Sequence, residues 1–160
     1  MASPFFVAQI ALLLAYSNMV TCNEDILVEK IFNYLSPPNN FPEFWPSVVK
    51  VTDIQLLPNG GYKARYVYKM AGMSFKGIAE CTEIVPNKSF VIVSKGGIGS
   101  VQTWTFRSKA NQTKVTLTID YKIPIPLLGK VTEAIVKEIN KQELTLILSN
   151  LRSRFAFSII

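Results

Sequence analysis

No histidine occurs anywhere in the 160 residues, which removes the commonest general base near neutral pH and the commonest metal ligand. Cysteine is nearly as scarce. Cys22 and Cys81 are the only two and are not in C-x-x-C spacing, so neither a zinc cluster nor a redox motif is supported, and no metal or cofactor is expected. Two cysteines allow a single disulfide without establishing one. Clustered charge is missing as well. The 17 Lys+Arg against 11 Asp+Glu give a net +6, but the basic residues stand singly and the densest group is Arg152 with Arg154. A basic stripe interleaved with stacking aromatics is absent, so nucleic acid is not expected as a partner.

Long apolar runs are limited to one, "FFVAQIALLLAY" at Phe5 to Tyr16. It is too short to span a bilayer comfortably as a helix, yet it has the length of a signal-peptide core. Met1 to Pro4 supplies no Lys or Arg for a charged leader. Three readings stay open: a secretion signal, a dispensable extension, or an integral strand or helix. We set residues 1–18 apart as an apolar extension and treat 19–160 as one domain. The protein is cytoplasmic if Met19 is the natural start, and secreted if the apolar segment acts as a signal.

What is present is a chain of 49% apolar and 18% charged residues, a balance that argues for one globular domain around one core. "MVTCNED" from Met19 alternates like a first strand. From Glu24, caps and acids followed by Ile26, Val28, Ile31, Phe32 and Leu35 predict a helix. Ser36-Pro37-Pro38 stops it, because neither proline donates a backbone hydrogen bond and each disfavours helix in the residue before it. Asn39 to Trp45 then has room for only a short helical turn.

After Pro46 the period becomes two. Strands are predicted over Val48–Leu57, Tyr62–Lys69, Met73–Val85, Ser89–Lys95, Ile98–Arg107 and Lys114–Ile123, joined by turns such as Pro58-Asn59-Gly60-Gly61 and Pro86-Asn87-Lys88. Pro124 and Pro126 close the sheet. A long helix follows over Leu127–Phe155, its apolar side carrying Leu128, Val131, Ile135, Ile139, Leu144, Ile147, Leu148 and Leu151. That helix is the one large amphipathic element able to cover the apolar face of the meander.

The stretches "VEKIFNYLSPPNNFPEFWPSVVKV" (Val28 to Val51), "YKMAGMSFKGIAECTEIVPNKSF" (Tyr68 to Phe90), "VQTWTFRS" (Val101 to Ser108) and "LTIDYKIPIPLLGKV" (Leu117 to Val131) carry a family resemblance. In them the chain resembles the START-like, or SRPBCC, superfamily, particularly its polyketide cyclase/dehydrase and lipid-transport branch. The resemblance covers roughly Met19 to Phe155. It departs at Leu27, where such proteins often place proline, and at Pro37, which replaces a usual acidic residue. It implies an α+β helix-grip fold: a curved seven-stranded antiparallel sheet wrapped around the long C-terminal helix, with two short helices after the first strand.

The resemblance also implies an apolar cavity with the short helices over one end, so that Phe41, Phe44 and Trp45 line or lid its mouth. Plain core packing is the rival account for any single ring. Prolines 37, 38, 42 and 46 would hold that aromatic segment at low unfolded-state entropy. By alternation Tyr66, Tyr68, Phe75, Trp104, Phe106 and Tyr121 face the same way as Gly77 and Ala79, and rings mixed with small residues leave space. Cys81, Ile135, Ile139 and Gln142 complete the candidate ligand-binding set.

Catalytic residues cannot be named. Lys63, Arg65, Lys69, Lys76, Glu80, Lys114, Asp120 and Lys122 alternate outward, leaving no inward acid and base pair. Cys81 in an apolar strand reads as inert packing. "KGGIGS" at Lys95 to Ser100 lacks Walker spacing and leads into a strand, so it is a hairpin turn. The sequons at Asn87 and Asn111 matter only in an exported chain. The expected function is binding or transport of a small hydrophobic molecule, a lipid, quinone or polyketide-like compound, with transient membrane contact and an undetermined oligomeric state. The alternative is a polyketide cyclase/dehydratase-type enzyme using the same cavity; a third reading is an interaction protein with a filled core.

Overall fold

The computed structural model of the protein describes residues 16–18, 28–70, 72–97, 99–109, 112–122 and 133–156. Its elements are β1 (Tyr16–Asn18), α1 (Val28–Leu35), a 3-10 turn (Pro38–Asn40), α2 (Phe41–Phe44), β2 (Val48–Leu56), β3 (Tyr62–Met70), β4 (Met73–Val85), β5 (Ser89–Lys95), β6 (Gly99–Lys109), β7 (Gln112–Lys122) and α3 (Glu133–Ala156). The strand expected from Met19 and the helix caps before Val28 lie outside the described residues, as do Cys22, Asn111, Leu128 and Val131. Tyr16–Asn18 falls within the stretch set apart as an extension and pairs with β7.

The six long strands form an antiparallel meander in which each pairs with its sequence neighbour, β2 at one edge and β7 next to β1 at the other. Each short turn has a local cause. Gly60 adopts φ 84°, open to a residue without Cβ, and its N–H donates to Leu57 O at 3.0 Å; the Asn59 side chain accepts from Gly61 N at 2.8 Å. Asn87, in the left-handed region at φ 61°, closes the next hairpin with Lys88 N donating to Val85 O at 3.0 Å. The register shifts at Val48/Lys50 and Thr52/Gln55 in β2 and at Cys81/Glu83 in β4. Bulges of this kind add twist and bend a strand, which gives the sheet a concave face.

α1 ends where the prolines require it. Ile31, Phe32 and Leu35 are buried and Ser36 N donates to Phe32 O at 2.9 Å. Pro38 then opens the 3-10 turn and Phe41–Phe44 makes one α turn, closed by Trp45 N donating to Phe41 O at 2.8 Å. The core lies between the concave face and the helices. α3 contributes Leu144, Ile147, Leu151 and Phe155, all buried, at spacings of three and four that put them on one stripe.

Candidate cavity under an aromatic cover

α1 and α2 carry their rings onto β5 and β6. Phe32 meets Phe90 and Phe106 edge-on at 5.9 and 5.3 Å. Trp104 stacks on Phe90 at 5.6 Å and takes the edges of Phe41 and Phe44 at 6.4 and 6.1 Å. Edge-to-face and offset contacts at these separations are the favoured arrangements of aromatic quadrupoles. Phe44, Trp104 and Phe106 therefore belong to a packed aromatic wall. They do not border the open space.

That space is a partly open cavity of about 60 Å³. Among the described residues it is bordered by Pro38, Phe41 and Trp45 from the turn and α2, by Val48 and Val51 of β2, and by Tyr62, Ala64, Tyr66 and Tyr68 of β3. Ala79, Ile92, Ser94, Ser100 and Gln102 complete it. Four residues singled out in the sequence, Phe41, Trp45, Tyr66 and Tyr68, thus come together here. Phe75 and Ile139 pack against the core as partly buried residues. Tyr121 and Ile135 lie in β7 and α3, but their side chains are outside those described.

Gln142 requires a correction. It is exposed and donates to Glu138 Oε1, one helical turn earlier, at 3.2 Å. The residue facing in is its neighbour Glu143, buried in the core. Trp45 Nε1 donates to Glu143 Oε1 at 2.7 Å and the Tyr68 hydroxyl to Oε2 at 2.5 Å. A buried carboxylate is costly unless hydrogen-bonded; here each oxygen accepts from one of the cavity's aromatic residues. Glu143 was legible in principle, because it sits four residues from both Ile139 and Ile147 on the apolar stripe.

Further contacts hold α2 down on α3. Asn150 Nδ2 donates to Phe44 O at 3.1 Å. Arg154 pairs with Glu43 at 3.0 Å and its guanidinium lies 4.6 Å from the centre of the Tyr34 ring, while the Tyr34 hydroxyl donates to Glu43 at 2.9 Å.

At the other end of the cavity hydroxyls collect. Ser94 and Ser100 are both buried and are paired across β5 and β6. The Tyr66 hydroxyl hydrogen-bonds Ser94 and donates to Gly96 O at 3.2 Å. Burial raises its pKa, an effect partly offset by the Ser94 bond. Gly77 makes room for that ring: a Cβ there would stand 2.5 Å from the Tyr66 hydroxyl and 2.6 Å from the Lys95 carbonyl oxygen, so a side chain would displace the ring or the backbone. No Lys, Arg, Asp or Glu borders the cavity among the described residues.

Cys81 is buried and its thiol donates to Glu83 O at 3.4 Å. Burial pushes the thiol up to about 11, so the thiolate that a nucleophile needs is not formed near neutral pH. On the outer face, Lys50, Arg65, Lys76 and Lys95, singletons in the sequence, border one shallow trough, with Asp53 3.5 Å from Arg65.

A helix-covered meander with an apolar cavity at its concave face matches a known family model. Residues 25–156 fit the polyketide cyclase / dehydrase and lipid transport family. The chain belongs to that family. Its START-like fold is shared with a START superfamily protein from Mycobacterium smegmatis, at TM-score 0.70 and 16% identity, covering 88% of this chain and 96% of that one. It is shared too with the Zhui aromatase/cyclase from Streptomyces sp. R1128, at TM-score 0.69 and 10% identity, covering 89% and 92%. A protein from Thermus thermophilus is similar at TM-score 0.62 and 18% identity, covering 83% and 92%. No curated protein gave a sequence match. Identities this low speak for the fold alone, so the chemistry of this family member rests on its own residues.

Proposed function

We propose that this family member binds a small hydrophobic molecule in the cavity beneath Phe41 and Trp45 and carries it rather than transforms it. The observation that carries this reading is the make-up of the cavity: aromatic and aliphatic walls, a few hydroxyls and one amide at one end, and no charged side chain among the described residues bordering it. Ligand sites are mostly apolar with a few placed polar groups, and the driving force is removal of apolar surface from water, about 25 cal/mol per Å². Tyr66 and Tyr68 would orient the bound molecule. The space is about 60 Å³, small beside the roughly 300–1,000 Å³ of pockets that take drug-sized ligands. Admission of a ligand therefore requires side chains around the cavity to give way.

Glu143 is what a cyclase/dehydratase reading would call upon as an acid or base. Both its oxygens already accept hydrogen bonds from Trp45 and Tyr68, which supports a structural clamp and favours the carrier. Native mass spectrometry of protein purified without detergent, followed by denaturation and identification of released compounds, tests the proposal. A stoichiometric hydrophobic adduct is the expected result. An apo mass, together with no uptake of any apolar probe, would remove the carrier reading.

A further inference from the structure

Two side-chain atoms on the inner face of β6 are buried without a hydrogen-bond partner: Gln102 Oε1 and Trp104 Nε1. Native proteins leave few such groups, and each calls for a cause. The first is an acceptor, the second a donor. Gln102 borders the cavity beside Ser94 and Ser100, and Trp104 contacts Phe41, one of the two rings that cover it. Residues two apart on one strand face are separated by about 7 Å, and of the two only Gln102 borders the cavity. Neither atom is exposed to solvent.

We infer that the ligand is an uncharged, oxygenated hydrophobic compound whose hydroxyl donates to Gln102 Oε1. This rests on the carrier reading above and sharpens it by excluding ionised ligands. A fatty acid or other carboxylate would lose its hydration and find no cation among the described residues that border the cavity, and an unpaired buried charge is strongly disfavoured. A neutral hydroxyl instead supplies the donor that Gln102 lacks. Its apolar body lies toward Val48, Phe41 and Trp45.

Equilibrium dialysis of naphthalene, 2-naphthol and 2-naphthoate at pH 7 against the full chain and against Gln102→Met tests this. The wild type should hold 2-naphthol about tenfold more tightly than naphthalene, the yield of one well-placed hydrogen bond to a buried acceptor, with 2-naphthoate the weakest of the three. Gln102→Met should abolish the preference for 2-naphthol over naphthalene. Its thermal midpoint without ligand should stay level or rise, since an unpaired buried amide is removed. Binding of 2-naphthoate as tight as that of 2-naphthol, or no preference for the naphthol over naphthalene, overturns the inference and leaves the carrier reading standing. A falling midpoint with selectivity intact also overturns it, because Gln102 would then serve the fold alone. Failure of all three probes to bind the wild type removes both readings together.

Discussion

The two ends of the cavity treat polar groups in opposite ways. At the covered end Glu143, the buried carboxylate, accepts from Trp45 and Tyr68, and Asn150 meets the Phe44 carbonyl, so burial and hydrogen bonding act together to hold α2 on α3. At the hydroxyl end Gln102 Oε1 finds no partner, although Ser94 and Ser100 are close by on the same face. Satisfied polar groups fix one structure; unsatisfied ones in a cavity cost stability and gain a partner only from something that enters. The difference separates the part of the molecule that maintains the fold from the part that the proposed binding would use.

The comparison breaks most visibly at the aromatic wall. Phe44→Ala removes a side chain 1% exposed that contacts Trp104, Phe41 and Tyr34, and should cost about 3–5 kcal/mol in chemical denaturation. Next comes the clamp. Glu143→Leu strands the Trp45 and Tyr68 donors in the core, and Tyr68→Phe leaves Glu143 one bond short; losses of about 2–4 and 1.5–3 kcal/mol respectively are expected. A smaller loss for Glu143→Leu than for Tyr68→Phe would show that the carboxylate is not the anchor of the covered end.

Cys81 supplies a pH-dependent test. Its folded thiol is raised from 9.0 to about 11 by burial. The folded state thus keeps its proton where the unfolded state has lost it. The corresponding stability is fully present below pH 9 and is lost as pH rises from 9 through 11. Thermal midpoints should be level across neutral pH and fall above pH 9, less steeply in Cys81→Ala. Alkylation of the native protein at pH 8 should be slow until it unfolds. The smallest effect belongs to Arg154→Ala. The Arg154 and Glu43 side chains are 54% and 45% exposed, and such surface pairs contribute only about 0–1 kcal/mol.

The meander was legible in the sequence because strand alternation and turn chemistry agreed. Lys63 and Arg65 lie outward between Tyr62, Ala64 and Tyr66, and the turns at Asn59-Gly60 and Asn87 fall where residues tolerant of positive φ stand. The short helical turns between Pro38 and Trp45 were legible because the prolines allow no continuous helix there, whereas their place over the cavity was implied only by the family resemblance. The polar end was not. Ser94, Ser100 and Gln102 come from two strands, and their meeting depends on the β5/β6 register, which puts Ser94 against Ser100. Gln142 was placed inward where Glu143 faces in, a one-residue phase error of about 100° on a 3.6-residue helix. The three-residue strand Tyr16–Asn18 is too short to show a period.

The most direct test of the account is uptake of 2-naphthol by Ala79→Leu compared with the wild type, both shown to be folded by circular dichroism. Ala79 borders the cavity and is half-buried, and the added methyl groups would fill the space at an overpacking cost of about 1–3 kcal/mol. The account predicts that the wild type binds and the folded variant does not. Equal uptake by both would place the ligand elsewhere and contradict the assignment of this cavity as the binding site.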